Sequence, residues 1–362
     1  MTSVLSSRRI IGASAAVIGL ALALTGLGPS PAQSADQLDK QTVKCQDARV
    51  PVTVPGVSDA TIFGTLCTPT ASKPTAVHLL VPGSTMTQSY FDWPDDSRRY
   101  SYVRKATSAG YATFSIDRLG SGKSTRPLST TVTMDAGADT LHEVVTALRA
   151  GKVGGTSFSK VIWVGHSLGS IYAWAEAAKY QDIDAFVLTA MTHSVKPSFL
   201  PLVSNMYHPV TQDPKFANSG YDAGYLTTKP GTRPDQFFYT QGADQTVINR
   251  DEQLKDTVSG TEFNQAVALI TSPPADTAPS RAIRVPTLLV VGDQDPFFCG
   301  SPDGIECTKQ RILETEKPYY HSDAKLEVVI ASDSGHNVQV HRSSPTSTTK
   351  ILDWVSRTVP RS

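Results

Sequence analysis

The stretch KVIWVGHSLGSIYAWAEAAKY, residues 160–180, decides how the chain is read. KVIWVG (160–165) is apolar and β-branched, the composition of a buried strand. SLGSIYAWAEAAKY (167–180) is rich in helix formers and puts Ile171, Trp174 and Ala178 on one side. Between them lies Gly165-His166-Ser167-Leu168-Gly169, a G-x-S-x-G pattern. The pattern alone arises by chance about once in ten chains of this length, so its flanks carry the weight. A strand that runs into a helix through five residues needs a tight turn, and side chains at 165 and 169 would collide there. The turn aims the Ser167 hydroxyl outward, at the carboxyl end of a sheet. The helix beneath it begins with free N–H groups, which suit a developing oxyanion.

The same alternation extends on both sides. ARVPVTV (48–54) and ATIFGTLC (60–67) read as an antiparallel pair behind a loose tail at 36–46. TAVHLLV (75–81), YATFSID (111–117), AFVLTAM (185–191), VPTLLVV (285–291) and LEVVIA (326–331) read as further strands. Helices are expected at 98–110, 134–151, 308–317 and 347–359; the second has Leu141, Val144, Val145 and Leu148 on one face. Strands alternating with helices imply an α/β domain with a mostly parallel sheet. The rhythm breaks at 192–284, where Pro, Gly, Tyr, Phe and Asn crowd together, with helical pieces near 247–258 and 261–271. That block reads as a cap or lid inserted after the sixth strand. The core then divides into 35–191 and 285–362.

The first 34 residues stand apart. Arg8-Arg9 precedes the apolar run IIGASAAVIGLALALTGLG and then PSPAQSAD, the order of an export signal of Sec or Tat type. A retained membrane anchor is the alternative, but small residues and prolines follow the run at once. The expectation is a secreted protein with no stable membrane insertion after signal removal. The chain of 362 residues carries 33 basic and 33 acidic residues; without the leader's two arginines, 31 basic residues face 33 acids. No basic stripe suggests a nucleic-acid partner. The cysteines, Cys45, Cys67, Cys299 and Cys307, all lie beyond the leader, and an even count in an exported chain reads as two disulfides. Of three pairings, the local ones, Cys45–Cys67 and Cys299–Cys307, need the least rearrangement. No C-x-x-C spacing supports a zinc site.

A serine hydroxyl attacks well only when a base takes its proton. Of eight histidines, His336 is best placed, in Ser334-Gly335-His336 just after the strand LEVVIA. His341 is the fallback. His166 sits beside Ser167 and reads as structural, and His78 lies mid-strand in the core. The imidazole in turn needs a carboxylate. Gly292-Asp293-Gln294-Asp295-Pro296 follows the strand VPTLLVV and offers two, Asp293 and Asp295.

With these residues in place, the chain from about 48 to 359 resembles the α/β-hydrolase fold superfamily, in the manner of a secreted serine esterase or lipase. The order Ser167…Asp295…His336 is that family's order. The resemblance selects Asp295, since the acid there usually lies three residues after the glycine that ends the strand. It also places an oxyanion loop at Val81-Pro82-Gly83-Ser84-Thr85, with the N–H groups of Ser84 and Leu168 as donors. Pro82 departs from the usual histidine and has no N–H, which leaves open a further contribution from Thr85.

The segment DRLGSGKST (117–125) ends like a phosphate-binding loop. The full motif demands a glycine at position 117, where this chain has Asp117. The segment instead resembles the hydrolase loop D-x-x-G-x-G-x-S, and no nucleotide is expected.

The resemblance implies cleavage of a carboxylic ester of small to medium size, with a small-molecule ester as substrate and no cofactor or metal. An acyltransferase, thioesterase or cofactor-free perhydrolase would use the same three residues. A peptidase or a non-catalytic binding protein of the same fold is a more distant reading. PSFLPLVSNMYHP and DQFFYT in the inserted block either line an acyl pocket or pack the block's own core.

Overall fold

The computed structural model describes residues 43–271, 274–300 and 303–360. The leader at 1–34 and most of the expected tail lie outside them. The end of that tail is no loop: β1 (Val43–Pro51) already begins inside it and pairs along its whole length with β2 (Thr61–Pro69). Cys45 and Cys67 face each other in that register, 4.1 Å apart at Cα, and are bonded; Cys299 and Cys307 form the second bridge.

Six more strands complete the main sheet: β3 (Ala76–Val81), β4 (Ala112–Ile116), β5 (Lys160–His166), β6 (Ala185–Thr189), β10 (Thr287–Gly292) and β11 (Glu327–Ala331). The order is β1-β2-β4-β3-β5-β6-β10-β11. The β1–β2 and β2–β4 pairs are antiparallel and all others are parallel. This is the α/β-hydrolase fold, with a mostly parallel sheet flanked by helices. Parallel strands need crossovers, and crossover helices cover both faces of the sheet. Accordingly β3, β4, β6 and β10 are buried at every residue.

The helix Met134–Arg149 starts where Thr133 accepts the Ala136 N–H, and it buries Leu141, Val144, Val145 and Leu148 as its periodicity predicts. The helix Leu168–Lys179 buries Ile171 and Trp174 but turns Ala177 inward and leaves Ala178 exposed.

Between β6 and β10 the chain adds a small antiparallel sheet, β7 (Tyr207–Pro209), β8 (Tyr225–Thr228) and β9 (Val258–Ser259). Around it stand helices Phe199–Met206, Arg233–Phe237, Gln245–Leu254 and Gly260–Thr271. The expected helical pieces are present. The first two helices and the small sheet are not visible in the sequence, because each is short and held by contacts far along the chain.

Candidate active site

Ser167 sits at the end of β5 with φ 51° and ψ −115°, a conformation an L-residue adopts only at a cost. Its neighbours explain how the turn survives. A Cβ on Gly165 would lie 2.5 Å from the Gly169 carbonyl oxygen, and one on Gly169 would lie 2.1 Å from that of Val81. Both positions therefore exclude any side chain. The Ser167 N–H is anchored to the Thr189 carbonyl at 2.9 Å.

Three elements bring the partners together. His336 comes from the loop after β11, and Asp295 from the turn after β10. The Ser167 hydroxyl donates to His336 Nε2 at 2.8 Å, and His336 Nδ1 donates to Asp295 Oδ2 at 2.8 Å. The carboxylate acceptor at Nδ1 sets this tautomer. Asp295 is fully buried, and its second oxygen accepts the Phe297 N–H at 3.0 Å. Asp293, the other candidate, instead receives the Ser334 N–H at 3.3 Å and so braces the His336 loop. The imidazole of His336 is packed by Phe297, with centroids 4.6 Å apart, and by Phe237 at 5.8 Å.

Ser84 and Leu168 line the same cavity as Ser167 and His336. Among the described residues, neither backbone N–H is donated to a protein acceptor. The Ser84 hydroxyl meets the Tyr207 hydroxyl at 2.7 Å, and the Thr85 hydroxyl accepts from Arg233 at 3.0 Å. The cavity, of about 40 Å³, is walled by apolar side chains. Phe199, Val203 and Met206 come from PSFLPLVSNMYHP, and Phe237 from DQFFYT. Phe263, Val267 and Ile270, on the helix Gly260–Thr271, also face it; their i, i+4 and i+7 spacing was the signal for them.

With this geometry in view, the comparisons decide the family. The model of the alpha/beta hydrolase family matches residues 79–346, which include every residue of the constellation. The chain belongs to the alpha/beta hydrolase family. No curated protein matches it in sequence. Among solved structures it resembles the thermophilic esterase from Thermogutta terrifontis, at 18% identity and a TM-score of 0.58, over 86% of this chain and 99% of that one. The esterase from Exiguobacterium antarcticum aligns at 14% identity and a TM-score of 0.57, over 84% of this chain and 99% of that one. The monoglyceride lipase from Saccharomyces cerevisiae aligns at 14% identity and a TM-score of 0.57, over 86% and 97%. At these identities the likeness is one of fold.

This alpha/beta hydrolase holds its loop Pro82–Thr85 with two buried arginines that the sequence does not advertise. Arg118 donates to the Gly83 carbonyl at 3.2 Å and to both Glu262 oxygens at 3.0 Å. Arg233 donates to Asp251 at 2.6 Å and to the Thr85 hydroxyl. Each arginine thus ties the loop to an acid of the inserted block. Asp117 accepts the N–H groups of Gln88 and Lys123 at 2.9 and 2.8 Å, so DRLGSGKST is a brace for the stretch after Thr85.

The remaining histidines have other duties. His341, the fallback base, does not reach Ser167's partner chain. Its Nδ1 donates to the Asn337 carbonyl, and its Nε2 accepts the N–H groups of Gly335 and Tyr239 at 3.0 Å each. It positions the His336 loop and fastens it to the inserted block. Burial lowers its pKa to about 4, so it stays neutral and keeps its acceptor. His166 is buried between Tyr90 and Thr189, and burial, then His336, hold it well below the usual histidine range. His78 is buried against Tyr102, with its pKa lowered by burial to about 3.

A second serine–histidine–acid chain also exists. Ser280 Oγ meets His193 Nε2 at 3.1 Å, and His193 Nδ1 meets Glu316 at 2.7 Å. All three are buried, and the Ser280 hydroxyl donates to the Tyr319 carbonyl at 2.7 Å. With its proton held there and all three side chains buried, this chain is a core contact.

Proposed function

We propose that the protein is a serine hydrolase that cleaves a carboxylic ester with a small to medium acyl or alcohol group. The observation that carries this reading is the unbroken hydrogen-bond chain from Ser167 through His336 to Asp295, opening on an apolar cavity beside two free N–H groups. Ser167 Oγ attacks the ester carbonyl carbon while its proton passes to His336 Nε2. Asp295 stabilises the imidazolium and holds its orientation. The N–H groups of Ser84 and Leu168 receive the oxyanion. The intermediate collapses, and the leaving alkoxide takes the proton from His336. Water then gives a proton to His336 and attacks the acyl-enzyme, which releases the acid and restores Ser167.

The apolar lining of the cavity suits an acyl chain or an apolar alcohol group. Residues 192–284 act in this reading as the cap that shapes the acyl site, since Phe199, Val203 and Phe263 belong to them. Export is part of the proposal. Its support is the leader's composition and two disulfides, which persist in oxidising compartments. Among the described residues no helix is long and apolar enough to cross a membrane.

The test is labelling with a fluorophosphonate probe, wild type against Ser167→Ala. Labelling should vanish in the variant, and equal labelling would sink the mechanism. A panel of p-nitrophenyl esters of rising chain length then bounds the acyl site.

A further inference from the structure

The helices Met134–Arg149 and Leu168–Lys179 pack against each other. Glu176, on the second, is fully buried, and neither of its carboxylate oxygens has a hydrogen-bond partner. This sets it apart from the other buried acids among the described residues. Asp117 receives backbone N–H groups, Asp213 meets Lys255, and Asp251 meets Arg233. Glu262 meets Arg118, while Asp295 and Glu316 each meet a histidine. Glu176 faces another acid, Asp182, whose Oδ1 is likewise unpartnered. The other oxygen of Asp182 lies 2.7 Å from His142 Nδ1. Ligand atoms from all three residues fall within 4.8 Å of one another.

Two carboxylates across so short a gap cannot both stay charged unaided; they share a proton or a cation. We propose that Glu176, Asp182 and His142 form a divalent-cation site that takes zinc, separate from the Ser167 cavity. One imidazole and two carboxylates are donors that suit zinc, whereas calcium and magnesium favour all-oxygen sets. Three protein ligands leave a fourth position for water. Zinc at His142 Nδ1 would place the imidazole's single proton on Nε2, and the proton shared by the two carboxylates would leave to solvent.

The surroundings suit such a site. His142 and Asp182 keep 32% and 21% of their side chains exposed, which gives an entry path and room to settle at bonding distance. Tyr180 stacks on His142 with centroids 3.7 Å apart, and Arg149 donates to the Asp182 carbonyl at 2.5 Å, so ring and turn are both held. Glu176 lies two helical turns beyond Leu168, about 12 Å along the axis. The ion would therefore staple two helices and the turn at 180–184, and its effect would fall on stability.

The experiment titrates zinc chloride alone into untagged, chelator-treated protein at pH 7 by calorimetry, with melting temperature followed in parallel. One ion per chain is expected, with a rise of about 5 °C at a hundredfold excess over Kd. Glu176→Gln and His142→Ala should each weaken binding at least tenfold. His142 is partly exposed, so its variant keeps the test valid where the buried substitution fails to fold. No binding at millimolar zinc would overturn the proposal and leave a shared proton between Glu176 and Asp182. Unchanged binding in His142→Ala would overturn it as well, since the ion would then sit elsewhere.

Discussion

Arg118 and Glu262 form a fully buried, two-pronged ion pair at 3.0 Å that joins the loop after β4 to the inserted block. The Tyr172 hydroxyl and the Ser259 N–H complete the Glu262 carboxylate, and the second arm of Arg118 holds the Gly83 carbonyl. Removing one partner leaves the other charge buried and alone. Arg118→Met should therefore cost about 3–5 kcal/mol in urea unfolding. Adding Glu262→Leu should recover much of that loss. Equal instability of the single and double variants would contradict a penalty that comes from the unpaired charge.

Asp295 and Asp293 are separable by substitution. Asp295→Asn should lower kcat by about 10⁴-fold, because the amide no longer fixes the His336 tautomer. Asp293→Asn should stay within roughly tenfold, since its oxygen only accepts the Ser334 N–H. A reversal of these two effects on a p-nitrophenyl ester would transfer the role to Asp293.

His341 makes stability depend on pH. An unfolded histidine takes up its proton near 6.5, whereas His341 in the fold does so only at about 4. The folded pKa is depressed, so the unfolded state gains protons first as pH falls between those values. Stability is complete above about 6.5, and this residue removes about 3 kcal/mol of it by pH 4. His78 and His166 act in the same direction. Asp117, raised by burial to about 6, acts against them. His341→Gln keeps an acceptor for the Gly335 and Tyr239 N–H groups but does not titrate. Its unfolding free energy should therefore fall less than that of wild type between pH 6.5 and 4.5. Parallel curves would refute the assignment.

The Cys299–Cys307 bridge closes a short loop directly after Asp295, and the Cys299 N–H donates to the Asp295 carbonyl at 2.8 Å. Its loss costs about 2.5 kcal/mol on the loop-entropy model. Reduction should lower ester cleavage while near-UV circular dichroism persists. Activity that declines only together with the dichroism would mean the bridge supports the domain at large and not the acid.

Phe263 and Ile270 line the cavity that holds Ser167 and His336. Trimming Phe263 to alanine should shift the preferred acyl chain upward. Each methylene newly accommodated is worth about 0.8 kcal/mol, or roughly fourfold in kcat/KM. An unchanged chain-length profile would place the acyl group elsewhere.

Much of this was legible in residues 160–180 and in the alternation around them. Period-two and period-3.6 patterns report local backbone geometry, so the main-sheet strands and the larger helices could be read from the chain. G-x-S-x-G dictated the turn at Ser167, because only glycine tolerates backbone at 2.1–2.5 Å from its Cβ position. The loops after β10 and β11 offered the carboxylate and the imidazole that line up with Ser167. What the sequence could not decide were relations across a hundred residues or more. Arg118 finds Glu262 at a separation of 144 residues, Arg233 reaches Thr85 across 148, and His341 meets the Tyr239 N–H across 102. Outside a strand, an arginine or histidine carries no mark of its future burial. Only the packing of the inserted block on the sheet makes these groups partners, by removing the water that would otherwise solvate each of them.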